Sequence, residues 1–346
     1  MKRAIFFFAI VSVISSCYDD DGMPMPPVVT CAQGLDEFAE TATEIDDPTF
    51  RACGDTCIVD CEELYSSAIP YDYTTPCFNP NNGDQLVYYR FDNTAFNAGS
   101  EIWVADFCKN EKKMIVNNAL YGLDWSVRDW LVYTADDQNI WKVKSNGDSL
   151  TQVTFVGDYN RYPKWSPDGG RIAFNAEIQG SQYFFIAESN GNVIDTLDEL
   201  SFSRAWTWID EDRIGFVTGM YNGSITTQTI KIINIQSDSV NLLNNLIMEH
   251  DSLLLSISPL LSENSIALCA LGFIGMTNLE TGEFKILKKS LTQEGYWNFS
   301  IRPSENEILI NKSIIHSVPG CKYDSDWGFY LVNKDGSNTR KINLPQ

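Results

Sequence analysis

From Phe78 to Ile342 the sequence repeats itself, with a period near 40–45 residues, and this constrains the fold more than any other feature of the chain. A unit of that length holds about four short strands and cannot bury an apolar face alone; arranged in a series, successive units cover one another. The clearest copy is Tyr162-Pro163-Lys164-Trp165-Ser166-Pro167-Asp168-Gly169-Gly170-Arg171-Ile172-Ala173-Phe174. Trp165 is expected to pack an inner strand into the core between units. Pro167-Asp168-Gly169 supplies a turn, because proline presets φ and glycine tolerates positive φ. Ile172-Ala173-Phe174 begins the next strand. Tyr183 to Ala187 gives a third, Ser189-Asn190-Gly191-Asn192 a tight hairpin turn, and Val193 to Leu197 a fourth.

The same order recurs with decay. Phe78-Asn79-Pro80 precedes Leu86-Val87-Tyr88-Tyr89 and Ile102 to Asp106. Asp124-Trp125-Ser126 precedes Leu131-Val132-Tyr133 and Ile140 to Val143, with Asn146-Gly147-Asp148 as the hairpin turn. Trp206-Thr207-Trp208 precedes Arg213 to Phe216 and Ile230 to Ile233. Ile257-Ser258-Pro259 precedes Ile266-Ala267-Leu268 and Ile274-Gly275-Met276. Ile301-Arg302-Pro303 precedes Ile308-Leu309-Ile310 and Phe329 to Val332, with Asp335-Gly336-Ser337 as the last turn. The core column reads Phe78, Trp125, Trp165, Trp208, Ile257 and Ile301, one large apolar residue per repeat. The expected fold class is all-β: a six-bladed β-propeller of four-stranded antiparallel blades. The aromatic-Ser-Pro-Asp-Gly…Ile-Ala-Phe pattern resembles the TolB-type propeller family over about Phe78 to Ile342. It is closest in the third repeat; the second and fourth lack the proline, and the fifth and sixth lack Asp-Gly. The resemblance implies a fold. It does not imply a partner, because one fold carries many functions.

The N-terminus sets a second expectation. Lys2 and Arg3 precede an apolar run from Ala4 to Ile14, broken by Ser12. That run is too short for a bilayer core, which takes about 20 apolar residues, and it has the length of a signal-peptide core. Ile14-Ser15-Ser16-Cys17 follows and resembles the lipobox of bacterial lipoproteins. The resemblance implies cleavage before Cys17, a diacylglycerol on its thiol and acylation of its freed amine, with each buried CH₂ contributing about 0.8 kcal/mol. Tyr18-Asp19-Asp20-Asp21-Gly22 resembles an export tag for the outer-membrane surface, and Met23-Pro24-Met25-Pro26-Pro27 extends it as a tether. The expected organisation is a signal peptide over 1–16, a lipidated tether over 17–30, a cysteine-rich cap over 31–76 with helix at about Leu35 to Thr43, and the propeller over 77–346. The expected address is the outer membrane, through the lipid.

Charge narrows the partners. Loss of residues 1–16 removes Lys2 and Arg3 and no acid, taking the formal net charge from −21 to −23. Such a surface repels phosphate backbones, so no nucleic-acid partner is expected. Of nine cysteines, Cys17 takes lipid, and Cys31, Cys53, Cys57, Cys61, Cys77, Cys108, Cys269 and Cys321 are disulfide candidates in an oxidising compartment. The four-residue spacing of Cys53, Cys57 and Cys61 raises a metal site, but no histidine lies near and it is not the CxxC pair of zinc modules. No cofactor is expected.

Candidate ligand residues precede the core column, where inner strands enter a central channel: Tyr121, Asp124, Arg161, Tyr162, Arg204, Asp251, Tyr296 and Trp297. Guanidinium groups beside aromatics suit carboxylates or sugars; interblade pairing and packing are the alternative for each. Gly219 to Thr229 and Asn311 to Trp327 read as long insertions between second and third strands. The two histidines, His250 and His316, carry no catalytic motif, and there is no G-x-S-x-G elbow, HExxH helix or phosphate loop. The expected function is a binding or scaffold module for protein or glycan; the alternative is an enzyme with paired acids at the channel mouth, acting on carbohydrate or peptide.

Overall fold

A computed structural model describes residues 34–42, 71–92, 100–155, 157–200, 205–222, 225–249, 254–291, 294–318 and 322–346. Cys17, Cys31, Cys53, Cys57, Cys61, Arg204, His250, Asp251 and Cys321 lie outside them, as do the signal peptide and tether.

The chain enters through a single helical turn, α1 (Gly34–Glu37), and a short strand, β1 (Ala39–Thr41). Next come β2 (Tyr71–Asn79), β3 (Asn82–Asp92), β4 (Ser100–Asp106), β5 (Glu111–Trp125), β6 (Trp130–Ala135), β7 (Ile140–Lys144) and β8 (Thr151–Gln152), hydrogen-bonded in that order as one sheet. The long β5 serves two repeats. Its first part pairs with β4 and its last part with β6. The third repeat is a separate four-stranded antiparallel sheet of β9 (Tyr159–Trp165), β10 (Arg171–Ile178), β11 (Ser181–Glu188) and β12 (Val193–Thr196). The fourth and fifth are sheets of the same kind. They comprise β13 (Trp206–Trp208), β14 (Arg213–Asn222), β15 (Ile225–Asn234) and β16 (Ser239–Glu249), then β17 (Leu254–Leu260), β18 (Ser265–Ala270), β19 (Phe273–Asn278) and β20 (Phe284–Lys289). The sixth has β21 (Glu294–Ile301), β22 (Glu307–Val318), β23 (Lys322–Asn333) and β24 (Arg340–Ile342), with β1 added beside β24 as a fifth strand.

The repeat chemistry explains these sheets locally. In the third repeat Ser166 Oγ donates to Asp168 Oδ1 at 2.5 Å and accepts the Arg171 N–H at 2.9 Å, which closes the turn that Pro167 and Gly169 permit. Gly147 and Gly191 hold positive φ in their hairpin turns. Core residues Phe78, Trp125, Trp165, Trp208 and Ile257 are buried, and Ile301 is partly buried. Each apolar cluster joins neighbouring repeats: Trp165 packs with Trp130 and Val132 of the second as well as Ile172 and Phe174 of its own.

Three expectations are corrected. The helix expected over 35–43 stops at Glu37, because Ala39 to Thr41 pair with the open edge of β24 instead. The two expected insertions are extended ribbons, since β14 pairs with β15 out to Asn222↔Ile225 and β22 with β23 out to Val318↔Lys322. The continuous ladder pairs the backbone groups that a loop would leave to water. Finally, Cys77 and Cys269 are free thiols. Cys269 lies in the apolar core shared by the fifth and sixth repeats and acts there as a small apolar side chain. Cys108 is disulfide-bonded.

Strand β2 begins at Tyr71, so it crosses the boundary drawn at residue 77. The described residues 34–42 pack on the sheets: Leu35 is fully buried in one cluster with Phe78 and Leu86 of the first repeat and Leu309, Phe329 and Ile342 of the sixth.

Candidate functional site

Strands β2, β5, β9, β13, β17 and β21 surround a cavity of about 580 Å³. Side chains alternate along a strand, so a residue one position before each core residue faces away from the core between repeats. That column reads Cys77, Asp124, Lys164, Thr207, Ser256 and Ser300, and all of it lines the cavity. Four of these side chains bond to the next strand. Ser300 Oγ accepts the Phe78 N–H at 3.0 Å. Cys77 Sγ donates to Asp124 Oδ1 at 3.7 Å, and Asp124 Oδ2 accepts the Trp165 N–H at 2.7 Å. Lys164 Nζ donates to the Trp206 carbonyl at 2.7 Å and lies 5.4 Å from the Trp206 ring centroid.

The electrostatics follow from that depth. Although these groups touch the lumen, protein surrounds them. Burial raises the Asp124 carboxyl above the usual range, against the pull of Lys164 and two backbone N–H groups. Burial likewise lowers the Lys164 ammonium, against the attraction of Asp124. The Cys77 thiol is pushed well up by burial and by the neighbouring Asp124 charge, which makes it a poor nucleophile.

Above this column the inner strands are irregular. Pairing shifts between Thr74 and Cys77 in β2, on both sides of Tyr121 in β5, between Leu254 and Ser256 in β17, and between Tyr296 and Asn298 in β21. Opposite β9 it shifts between Ala173 and Asn175. Such bulges re-aim side chains. Tyr162 takes φ 55° in one, and Gly122 takes φ 58°, where an added Cβ would come within 2.5 Å of the Tyr162 Cα. Proline or glycine inside an inner-strand pattern, at Pro76, Gly122 and Pro163, was the legible sign of these bulges.

The bulges gather part of the predicted set. The Arg161 guanidinium lies 5.8 Å from the Tyr121 ring and 5.0 Å from the Tyr159 ring. Tyr121 and Tyr162 meet at 6.0 Å between centroids, and both line the cavity. Among the described residues Arg161 makes no ion pair, and its buried Nε has no hydrogen-bond partner. Trp297 stands on the sixth repeat, 5.3 Å from Trp327, and donates its indole N–H to Ser313 Oγ at 2.9 Å. Tyr296 is a correction: its ring is fully buried with Phe299 and Ile310, and alternation beside the bulged Trp297 turns it into the core. Asp124 lies deeper than a rim position, in the bonded column. Tyr159, the first residue of β9, and Phe155, in the link before it, are also exposed.

Among the described residues the acids lining the cavity are Asp124 and Glu305. Glu305 accepts the backbone N–H groups of Leu261 and Ser262 at 3.2 and 2.7 Å. No group of three or more histidine, cysteine or acidic side chains placed for a metal occurs among the described residues.

No protein-family model matches this sequence, and no curated protein does. Solved structures do match. TolB from Acinetobacter baumannii is 15% identical with a TM-score of 0.52, covering 83% of each chain. The β-propeller domain of the trilobed protease from Pyrococcus furiosus is 11% identical with a TM-score of 0.51, over 81% of this chain and 85% of that one. Kuenenia stuttgartiensis hydrazine synthase is 11% identical with a TM-score of 0.53, over 80% and 96%. At these identities the likeness establishes the fold, a TolB-like β-propeller, and nothing of the activity.

Proposed function

We propose that this β-propeller is a lipid-anchored binding module of the bacterial outer membrane, with six blades closed around the channel and a protein or glycan ligand held at the channel mouth. The observation that carries the reading is the rim. Arg161 stands between Tyr121 and Tyr159 with no ion-pair partner among the described residues, and Tyr121 and Tyr162 beside it line a cavity of about 580 Å³. Cavities of a few hundred Å³ with a few convergent polar groups are typical ligand sites. The six inner strands that line the cavity support the blade count. The bonding of Asp124 and Glu305 to backbone N–H groups of neighbouring repeats supports a structural role for both, rather than a pair of catalytic acids. Cys17 and the residues around it supply the anchor, and the acidic stretch after it supplies the surface address.

The test uses the full-length protein in its own membrane. Incorporation of a palmitate analogue that is lost in Cys17→Ser, with protein digested by protease added to intact cells, supports the anchor and the surface face. Absence of label, or full protection, overturns the corresponding part. For the mouth, wild type and the Tyr159→Ala/Arg161→Ala variant are captured from solubilised envelopes. A ligand retained by wild type and lost by the variant supports the reading. Identical recovery overturns it.

A further inference from the structure

Among the described residues the exposed aromatic side chains are Tyr121, Phe155, Tyr159 and Trp297, between 38% and 75% exposed, and two of them, Tyr121 and Tyr159, flank Arg161. The other exposed ones are aliphatic, such as Val193, Leu242 and Ile286 on outer strands. Aromatic rings carry a large apolar area, so the exposed pair around Arg161 offers a surface for a ligand to cover. The same rim carries Arg161, whose guanidinium is flanked by tyrosine rings and has no carboxylate partner among the described residues.

We infer that the rim binds a carboxylated sugar chain, with uronate-type carboxylates on Arg161 and sugar faces on the neighbouring rings. This rests on the reading of the mouth as the binding face and names its ligand class. A sugar ring covers an aromatic with its C–H face and keeps its hydroxyls in water, which suits half-exposed rings with polar tips. A bound peptide calls for an open strand edge or an apolar groove; the described residues here offer separate ring faces beside the Arg161 guanidinium. A guanidinium binds a carboxylate through two parallel hydrogen bonds, and the flanking rings hold the fork in place. The net charge of −21 opposes an anion at long range. Screening acts over about 8 Å at physiological ionic strength, so a direct contact at Arg161 outweighs the distant acids.

The test titrates the folded chain from residue 17 onward with uronate hexamers, with the same hexamers reduced to neutral sugars, and with peptides ending in a free carboxylate. Intrinsic tryptophan fluorescence and calorimetry are the readouts. Expected is binding of the uronates that weakens about tenfold or more on carboxyl reduction. Arg161→Ala should bring uronates down to the neutral level, Arg161→Lys should restore part, and Tyr159→Ala should weaken both sugars. Unchanged thermal midpoints certify that the variants fold. Equal affinity for charged and neutral hexamers, or binding of neither, overturns the inference. Arg161-dependent binding of the peptides instead of the sugars also overturns it, while leaving the binding role of the mouth intact. Only the envelope-capture result bears on that wider reading.

Discussion

The Arg302 guanidinium lies 3.0 Å from the Asp84 carboxylate, joining the last repeat to the first across 218 positions of sequence. Glu307 holds the same guanidinium at 2.6 Å. Asp36 of α1 reaches it at 3.5 Å and also pairs with Arg340 at 2.9 Å. The three side chains paired with Arg302 or Arg340 here, Asp36, Asp84 and Glu307, are acids drawn from α1, the first repeat and the sixth. Removing Arg302 therefore leaves Asp84 without its guanidinium and Arg340 alone to hold Asp36 and Glu307. Arg302→Ala is expected to lower the unfolding free energy by about 2–4 kcal/mol, since breaking a largely buried pair strands its partners. Urea unfolding measures it; a loss within error would show the seam to be held by its apolar core alone.

Leu35 tests that apolar share directly. It is fully buried between the first and sixth repeats, and its N–H donates to Asp84 at 2.9 Å. Leu35→Ala is expected to cost about 2–5 kcal/mol, the range for a large-to-small change in a packed core. Faster hydrogen exchange should follow in β1, β24 and β2 first. Uniform change across all repeats would place the effect elsewhere.

Two aspartates should respond to acid in opposite senses. Burial opposes ionisation of Asp168, but the Ser166 hydroxyl and the Gly170 N–H outweigh it and hold the carboxyl below its ordinary value of 3.8. Its ionised form therefore stabilises the fold above about 3.8, and that contribution is lost as pH falls through the lower folded value. Asp124 is raised by burial, so its ionised form is penalised at neutral pH, and the penalty lifts as pH falls from the raised value toward 3.8. Urea unfolding from pH 7 to pH 3 should show Asp168→Asn losing its deficit against wild type. Over the same range Asp124→Asn should lose ground to wild type. Parallel curves for the two variants would refute the assignment.

Cys77 and Cys269 should resist alkylation in the folded protein at pH 8. Burial raises both thiols, with the Asp124 charge adding to it at Cys77. A thiol must ionise to react. Peptide mapping after iodoacetamide should find both unlabelled before unfolding in urea and labelled after. Rapid labelling of Cys77 in the native state would show that its channel position is open and its charge environment misjudged.

Much of this was legible in the sequence, and for local reasons. Turn chemistry at Ser166-Pro167-Asp168-Gly169 and the core column at Phe78, Trp125, Trp165, Trp208 and Ile257 depend on neighbours a few positions away, so the pattern carries them. The site was half legible. Tyr121, Arg161 and Tyr162 come together because each precedes a core residue by three or four positions. Tyr296 went the other way because a bulge at Trp297 fixes which of two adjacent rings turns inward. Lys164 and Cys77 were missed, although alternation next to the core column points straight at them.

The four-stranded repeats, their turns and the apolar column follow from local sequence. Period-two alternation and glycine or proline at fixed offsets act within one repeat and need no distant partner. What happens between repeats follows from how the sheets pack: β1 on the edge of β24, Leu35 in the seam, Asp124 accepting the Trp165 N–H, and Arg161 left between two tyrosines. Those contacts join residues from different repeats, and their partners are set by how the sheets meet, which no local pattern encodes.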